Sequence, residues 1–322
     1  MRKAVFPAAA LAGVVGLILA VNPASVAAAF AQFDTWTLLP AVALMLGFYA
    51  LQGLRWHLLL RAIGARARLR DSQLLNLAGQ AMTAVLPLGD LTRALLAGRA
   101  FGVATGAAAA TVTVQELSFT LLVVLAAVPA LGRLPYGAWW IAMVVGGIAS
   151  VVIVLTVTRV FRGVHRVVSV APGLRRVAAD VAALQRAASQ LLRRPDVAAG
   201  ALIDLARVIV ATAALLLVLR GLHVATLGWW EVALVLAASF IGGALSLLPG
   251  GVGANEATVV GVLIVLGVSP PTAAAAAILQ RLTLTGVPAA GGALAYLATR
   301  TRTVRRPESA AGARRQAAAA GA

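Results

Sequence analysis

The sequence has no cysteine and very little negative charge. The absence of cysteine excludes disulfides and thiolate metal sites. Asp and Glu together number only 10 of 322 residues, and charged residues of both signs make up 11% of the chain. The three histidines, His57, His165 and His223, lie far apart and predict no metal cluster. Because about a quarter of the residues in a soluble domain are charged, the composition argues against a soluble protein.

Apolar residues in long runs replace the missing charge. They make up 61% of the chain, and the mean hydropathy is +0.95. Long unbroken runs predict an all-α polytopic membrane protein, because a helix satisfies its own backbone polar groups in lipid. A barrel would instead show alternating segments of about ten residues. Six runs are near the roughly 20 residues that cross a bilayer: 4–21, 36–56, 103–131, 137–158, 196–221 and 272–298.

The first run has two interpretations. It is either a retained span, which we favour because a polytopic protein needs no separate signal, or part of a cleaved signal peptide within residues 1–29. The second interpretation rests on the small residues of VAAAFAQ, which resemble a cleavage site.

Two further apolar regions, 72–101 and 229–268, are interrupted in the middle. Pro87-Leu-Gly-Asp90 breaks the first, and Pro249-Gly-Gly-Val-Gly-Ala-Asn-Glu256 breaks the second. Proline and glycine disfavour a continuous helix. We therefore predict two re-entrant broken hairpins in addition to about six full spans.

The arginines set the predicted orientation. With Met1 inside and both broken regions re-entrant, 23 of the 27 basic residues lie on one side of the membrane. Positive charge concentrates on the cytoplasmic side, so we predict that both termini are cytoplasmic. Lys3 is the one lysine and alanine is abundant, which is typical of a high-GC bacterial genome, so we predict a bacterial plasma-membrane protein. Two full spans for each broken region would place the basic loop 159–195 outside. The net charge of +17 thus points to anionic lipid at the cytoplasmic face, not to nucleic acid.

This orientation makes the two hairpins enter from opposite sides, so the unit of span, hairpin and span occurs twice, upside down. At a constant offset of 165, Gly102-Val103 falls on Gly267-Val268 and Gln115 on Gln280. Inverted repeats with broken helices are typical of secondary transporters. The predicted domains are a first membrane half 1–158, a basic connector 159–195, a second membrane half 196–298 and a disordered basic tail 299–322.

The connector contains an apolar stripe at helical spacing. The stripe predicts an amphipathic helix, either a connector lying on the inner leaflet or a sensor of the lipid surface. Its members are Leu174, Val177, Val181, Leu184 and Leu191.

Charged and glycine-rich positions at the two breaks are candidates for binding a headgroup. Asp90 is the predicted N-cap of a helix, and Arg93 would lie in the first turn of that helix. A helix N-terminus together with an arginine can bind a phosphate. The alternative is that Asp90 only caps the helix and Arg93 only extends to the cytoplasmic face. Asn255 and Glu256 occupy the corresponding place in the second hairpin. Three glycines before them allow close backbone approach: Gly250, Gly251 and Gly253.

Two further pairs carry intramembrane charge, which is costly in lipid and predicts a functional or paired group. The offset of 165 makes Glu116 and Arg281 equivalent, and we expect them to form a central ion pair, structural or headgroup-binding. Asp204 and Arg207 are three residues apart and predict a local pair. All six tryptophans lie at predicted span ends and predict an interfacial belt: Trp36, Trp56, Trp139, Trp140, Trp229 and Trp230.

No constellation of catalytic groups, metal ligands or cofactor-binding residues appears in the sequence. The G-x-G pattern at Gly251 follows no predicted strand, so it does not indicate a dinucleotide site. We expect a transporter without a cofactor, not an enzyme.

The motifs resemble those of the lysylphosphatidylglycerol synthase membrane-domain family, also called flippase-like membrane proteins. In the second half, Leu248 to Gly253 with Glu256, Gly267-Val268, Ala275, Arg281 and Gly291-Gly292 carry the similarity. The first half contributes Arg55-Trp56, Leu86-Pro87, Gly89-Asp90, Arg93 and Glu116. Family members often have Glu-Arg where this chain has Glu116-Leu117.

The resemblance implies a lipid translocator, a flippase or scramblase, that moves a phospholipid such as aminoacylated phosphatidylglycerol. It does not imply synthase activity, since the soluble synthase domain has no counterpart in this sequence. A carrier of polyprenyl-phosphate-linked sugars and a non-transporting scaffold for an envelope enzyme remain alternatives. Membrane lipids are the expected partners, with a homo-oligomer or an envelope enzyme as further possibilities.

Overall fold

A computed structural model describes residues 23–83, 90–157, 159–163, 178–246, 251–286 and 291–292. Within these ranges all regular structure is helical, which confirms the all-α prediction. A 3₁₀ turn, Thr35–Thr37, precedes the helix that begins at Leu38, and a π-helical turn, Leu282–Gly286, follows the helix that ends at Arg281. The α-helices are α1 (Pro23–Ala31), α2 (Leu38–Ala62), α3 (Leu69–Thr83), α4 (Asp90–Phe101), α5 (Thr105–Leu131), α6 (Gly137–Thr156), α7 (Ala178–Leu192), α8 (Pro195–Ala199), α9 (Ala201–Gly221), α10 (Trp229–Leu245), α11 (Ala254–Val265) and α12 (Pro270–Arg281).

Four helical stretches of the described chain are long and apolar enough to cross a membrane: Thr35–Ala62, Thr105–Leu131, Gly137–Val154 and Pro195–Gly221. They correspond to four of the six predicted spans. The predicted span 4–21 lies outside the described residues, as does part of 272–298. The full number of spans therefore stays a prediction.

Each interrupted region contains two helices that pack against each other, α3 with α4 and α10 with α11. Their lengths are 15, 12, 17 and 12 residues. At 1.5 Å per residue, 12 residues extend roughly 18 Å, well short of the roughly 30 Å hydrocarbon core. Such short arms fit a hairpin that enters and leaves on one side, and this re-entry stays a prediction.

The main core joins both halves of the chain. The central helix α12 contributes five successive alanines, Ala273–Ala277, each at most 2% exposed. Small side chains let neighbouring backbones approach closely. Helix α2 packs on α9, and α5 packs on α10, so the first and second halves interlock.

The predicted amphipathic helix of the connector is present as α7. Its apolar side packs against protein, since Ala187, Ala188 and Leu191 are buried with Leu59 of α2 and Val114 of α5. The apolar side of this helix therefore has a partner in the bundle itself. Its predicted position on the inner leaflet stays a prediction. Leu174 and Val177 of the predicted stripe lie outside the described residues.

Candidate functional site

The first helix break places Arg93 in the interior of the bundle. Asp90 is the first described residue of α4, and Arg93 follows three positions later in the same helix. The predicted capping role of Asp90 stays a prediction. Its side chain is 0% exposed, and it lies over the ring of Trp56 at 5.9 Å from the ring centroid. On the facing helix α3, Gly79 makes room for it, because a Cβ at Gly79 would overlap the Arg93 side chain.

Glu116 of α5 is the acid partner of Arg93. Nη2 of Arg93 donates to Oε1 of Glu116 at 2.9 Å, and Nη1 donates to Oδ1 of Asn76 at 2.9 Å. Nη2 of Arg207 lies 3.9 Å from the other carboxylate oxygen. The Glu116 side chain remains 34% exposed, whereas Arg93 is covered. In the first half, the carboxylate is thus the open member of the pair.

Three amide side chains support this ion pair. Gln52 donates to the Glu116 carboxylate at 3.4 Å, and its own Oε1 accepts from Asn76 at 3.2 Å and from Gln80 at 3.0 Å. Hydrogen bonding satisfies polar groups that would otherwise be costly to bury. These amides were not predicted from the sequence. The available signal was Gln52 within an apolar span, together with Asn76 and Gln80, which are four positions apart and so share one face of a helix.

A second buried cluster continues from the first along α9. Asp204 accepts from Nε of Arg55 at 3.0 Å and from Nη1 of Arg207 at 2.9 Å, one guanidinium on each carboxylate oxygen. The local Asp204–Arg207 pair is therefore confirmed. The Arg207 guanidinium also lies 4.8 Å from the ring centroid of Phe48 and 4.4 Å from that of Phe119, a cation–π arrangement. The burial of Arg55 was not predicted from the sequence.

The second half contains an ion pair of its own. Nη1 of Arg281 lies 3.1 Å from Oε1 of Glu256. The other oxygen of Glu256 accepts from the backbone N–H of Gly253 at 2.6 Å, which fixes the start of α11. Glu256 is 4% exposed and Arg281 is 21% exposed. Here the guanidinium is the more open member of the pair.

Polar side chains also adjoin the second pair. Oγ of Ser239 donates to Oδ1 of Asn255 at 3.0 Å and accepts from Nε2 of Gln280 at 3.2 Å. Aromatic rings connect this group to the first cluster. Phe240 follows Ser239 in the chain, and its ring meets that of Phe119 edge-to-face with the ring centroids 5.1 Å apart. The contact of Ser239 with Asn255 was not predicted from the sequence.

Three expectations need correction or lie outside the described residues. Glu116 does not form the expected ion pair with Arg281 among the described residues, since each pairs with a charged residue on the neighbouring helix of its own half. Trp56 is 0% exposed and donates to Oγ1 of Thr111 at 2.9 Å, so it is not part of the interfacial belt. Gly250 and the Asp90 side chain lie outside what the structure describes.

The other tryptophans match the belt to different degrees. Trp36 is 82% exposed, Trp139 66%, Trp140 50% and Trp230 44%, which suits side chains at a lipid interface. Trp229 is half-buried at the start of α10.

The two ion pairs can bind charge of either sign without a metal. In the described ranges, no group of three or more His, Cys, Asp or Glu side chains could hold a metal ion. Guanidinium groups bind phosphate through charge-assisted hydrogen bonds, and carboxylates accept from ammonium groups. Burial among apolar helices makes both kinds of contact stronger than in water. The two pairs therefore offer groups that can bind positive or negative atoms away from bulk water.

Apolar helices of membrane-spanning length, with paired charges in their interior, define a polytopic membrane protein with a polar centre. The family described as the lysylphosphatidylglycerol synthase TM region matches residues 7–292. The chain belongs to this family, as its motifs indicated. Membership links it to the membrane and to lipid-related function. The search of curated proteins finds no match.

Proposed function

We propose that the protein translocates a phospholipid with a polar headgroup, such as an aminoacylated phosphatidylglycerol, between the leaflets of the membrane. This proposal rests on one observation, the presence of two ion pairs, Arg93–Glu116 and Glu256–Arg281. Each one joins the helix that follows a break to the next helix along the chain. Buried charge is expensive in a membrane and usually marks a substrate path.

The exposure of these four side chains supports a headgroup that carries both signs of charge. The first pair presents its carboxylate, with Glu116 34% exposed, and the second presents its guanidinium, with Arg281 21% exposed. An aminoacylated headgroup has an ammonium group for Glu116 and a phosphate for Arg281. The buried partners Arg93 and Glu256 would hold the binding groups in place while substrate is absent.

The remaining predicted binding residues have supporting roles in this proposal. At the second break, the headgroup would meet the polar side chain of Asn255 and the backbone of three glycines, Gly250, Gly251 and Gly253. Asp90 would act at the first break. Because the proposed reaction moves a lipid without making or breaking covalent bonds, no catalytic nucleophile is required. Transport would be downhill or coupled to an ion.

Reconstitution tests this function. Purified protein is placed in vesicles that contain phosphatidylglycerol and a minority of lysylphosphatidylglycerol, whose amines react with a membrane-impermeant reagent. Protein-free vesicles should expose about half of the amines, because a symmetric bilayer places half of the lipid in each leaflet. Active vesicles should expose nearly all of them. Equal labelling with and without protein would refute the proposal.

Two variants link transport to the site. Glu256→Gln keeps an acceptor for the Gly253 N–H but removes the charge that pairs with Arg281, and Arg281→Ala removes the open guanidinium. Both should slow labelling at least about tenfold, the effect of about 1.4 kcal/mol in binding. Arg133→Gln is the matched control, because Arg133 is a 69% exposed ion-pair member outside the site. Unaltered transport in both site variants would show that Glu256 and Arg281 take no part in transport and would contradict the proposed site.

The same preparation distinguishes the alternatives. Native mass spectrometry that finds a bound polyprenyl-phosphate lipid, without lysylphosphatidylglycerol transport, would favour the carrier of lipid-linked sugars. A stoichiometric envelope protein that copurifies with a non-transporting chain would favour the scaffold.

A further inference from the structure

A cavity separate from the two ion pairs lies where α2 ends and α8 begins. Its volume is about 320 Å³, and its wall includes Arg55, Leu58, Arg61, Arg194 and Asp196. Arg55 lies six residues before Arg61 on α2, about 9 Å along the helix axis. The cavity therefore leads from the arginine-rich helix ends, which the charge bias predicts to be cytoplasmic, to a buried guanidinium.

Arg55 has hydrogen-bonding capacity left at the bottom of this cavity. The side chain is 2% exposed, and its Nε donates to Asp204. Among the residues that the structure describes, the hydrogen bond to Asp204 uses only Nε of Arg55, and Nη1 and Nη2 have no acceptor of their own. A planar guanidinium presents its terminal nitrogens as a fork that matches two oxygens of a phosphate. Arg55 thus offers a buried and partly unused phosphate-binding group.

Gly200 lets the Arg55 fork reach this position. A Cβ at Gly200 would overlap Nη1 of Arg55, so only glycine leaves space for the guanidinium against the chain between α8 and α9. The backbone of Gly200 has φ −64°, which any residue can adopt. Glycine is needed here for space and not for conformation, and alanine would displace the guanidinium without straining the backbone.

The rim of the cavity is positive overall. Arg194 donates through Nε and Nη2 to both oxygens of Asp196, at 2.9 and 2.7 Å, and through Nη1 to the carbonyl of Ala62 at 3.2 Å. The hydrogen bond with Asp196 raises the pKa of the Arg194 guanidinium. Among the described residues, three arginines and one aspartate line the cavity, a net charge of +2. Asp196 is the carboxylate in this set, and Arg194 already binds both of its oxygens.

We propose that this cavity binds the phosphate group of an anionic phospholipid, with the phosphate on Arg55 and the rest of the headgroup between Arg61 and Arg194. Leu58 favours a lipid over a soluble phosphate. It is 42% exposed on an apolar span and also lines the cavity, so the cavity wall continues into the surface that acyl chains contact. A lipid here would fix this end of α2 at the depth of the headgroups.

Binding of short-chain lipids to the purified full chain tests the proposal. Native mass spectrometry measures bound phosphatidylglycerol against the zwitterionic phosphatidylcholine, and inorganic phosphate is added in a separate arm. Phosphatidylglycerol should bind more tightly than phosphatidylcholine. Arg55→Gln and Gly200→Ala should each weaken phosphatidylglycerol binding about tenfold, because each takes the fork away from the phosphate. Gly200→Ala retains every charge and guards against misfolding of Arg55→Gln.

Arg68→Gln is the matched control, because Arg68 is an exposed arginine near the same helix end and does not line the cavity. An equal loss in Arg68→Gln, or no loss in either cavity variant, would overturn the proposal. Inorganic phosphate that binds as tightly as phosphatidylglycerol would overturn the assignment to a lipid. The assay measures no transport, so its outcome is independent of the proposed translocation.

Discussion

Arg55 and Asp204 form a buried ion pair in which Nε of Arg55 lies 3.0 Å from Oδ2 of Asp204. The pair joins α2 to α9, and thus the two predicted halves. The other oxygen of Asp204 holds Arg207, which also reaches Glu116. One carboxylate therefore connects the proposed lipid cavity with the polar centre of the bundle.

Asp204→Asn should destabilise the protein strongly. The variant leaves two buried guanidinium groups without their shared anion, and loss of one partner of a buried pair costs about 3–5 kcal/mol. A thermal melt of purified protein in detergent, followed by tryptophan fluorescence, measures the effect. Asp196→Asn is the control, because Asp196 is 58% exposed in its pair with Arg194. A melting temperature equal to that of the control would contradict the prediction.

Trp56→Phe should weaken the first half while keeping an aromatic ring under Arg93. The indole N–H donates to Thr111, and loss of that bond leaves the threonine hydroxyl without this donor. We expect about 1 kcal/mol of destabilisation. Trp36→Phe removes an indole that is 82% exposed and should change the melting temperature little. Equal melting curves for the two variants would show that the buried hydrogen bond contributes nothing.

Gly251→Ala should disturb the tip of the second hairpin. Gly251 has φ +62°, and an added Cβ would lie 2.8 Å from Cα of Gly243 on α10. The left-handed conformation alone costs a residue with a Cβ about 1–2 kcal/mol. Gly261→Ala on α11 is the control, because nothing lies within 4 Å of its Cβ. Thermal melts of both variants decide the question, and the prediction fails if Gly251→Ala is as stable as Gly261→Ala.

Gly79→Ala should impair transport more than stability. An added Cβ displaces the Arg93 side chain, which would pull the guanidinium from Glu116 without removing any charge. We expect the rate of amine exposure in the vesicle assay to fall about tenfold, equivalent to about 1.4 kcal/mol. Gly47→Ala, with open space around its Cβ, provides the comparison. A normal rate together with a normal melting curve would show that the position of Arg93 does not matter.

The helices and their breaks could be predicted because length and hydropathy determine them. Apolar runs near 20 residues gave four of the spans. Pro87 and Pro249 predict the two interruptions and lie outside the described residues, between the helices that the structure gives on either side. The Asp204–Arg207 pair followed from a spacing of three on one helix. These features depend on neighbours in sequence, which a single chain reveals directly.

The pairing across helices could not be predicted in the same way. Glu116 and Arg281 are equivalent at an offset of 165, but equivalence does not fix the direction in which each helix is rotated. Arg93 and Glu256 lie close enough to satisfy them within each half. Likewise, Arg55 has the sequence appearance of a charge at a span end, and its burial depends on Asp204, 149 positions away.

The matched environments of Gln115 and Gln280 support the predicted repeat, which places them at equivalent positions. Both side chains are buried, and each donates through Nε2, to the carbonyl of Gln52 and to Oγ of Ser239, respectively. In the described part of the chain, each also keeps an Oε1 without a hydrogen-bond partner. The inverted repeat itself stays a prediction.

The π-helical turn Leu282–Gly286 begins directly after Arg281. A π turn closes its hydrogen bonds over five residues, so it takes up one residue more than the same turn of an α-helix. Tyr49 of α2 secures this turn by donating its hydroxyl to the carbonyl of Leu284 at 2.6 Å. A shift of one residue in this turn would rotate the chain that follows it by about 100° relative to α12. Arg281 is therefore the last position whose direction is fixed by the close packing of Ala273–Ala277, and the π turn absorbs any change in register without moving that guanidinium.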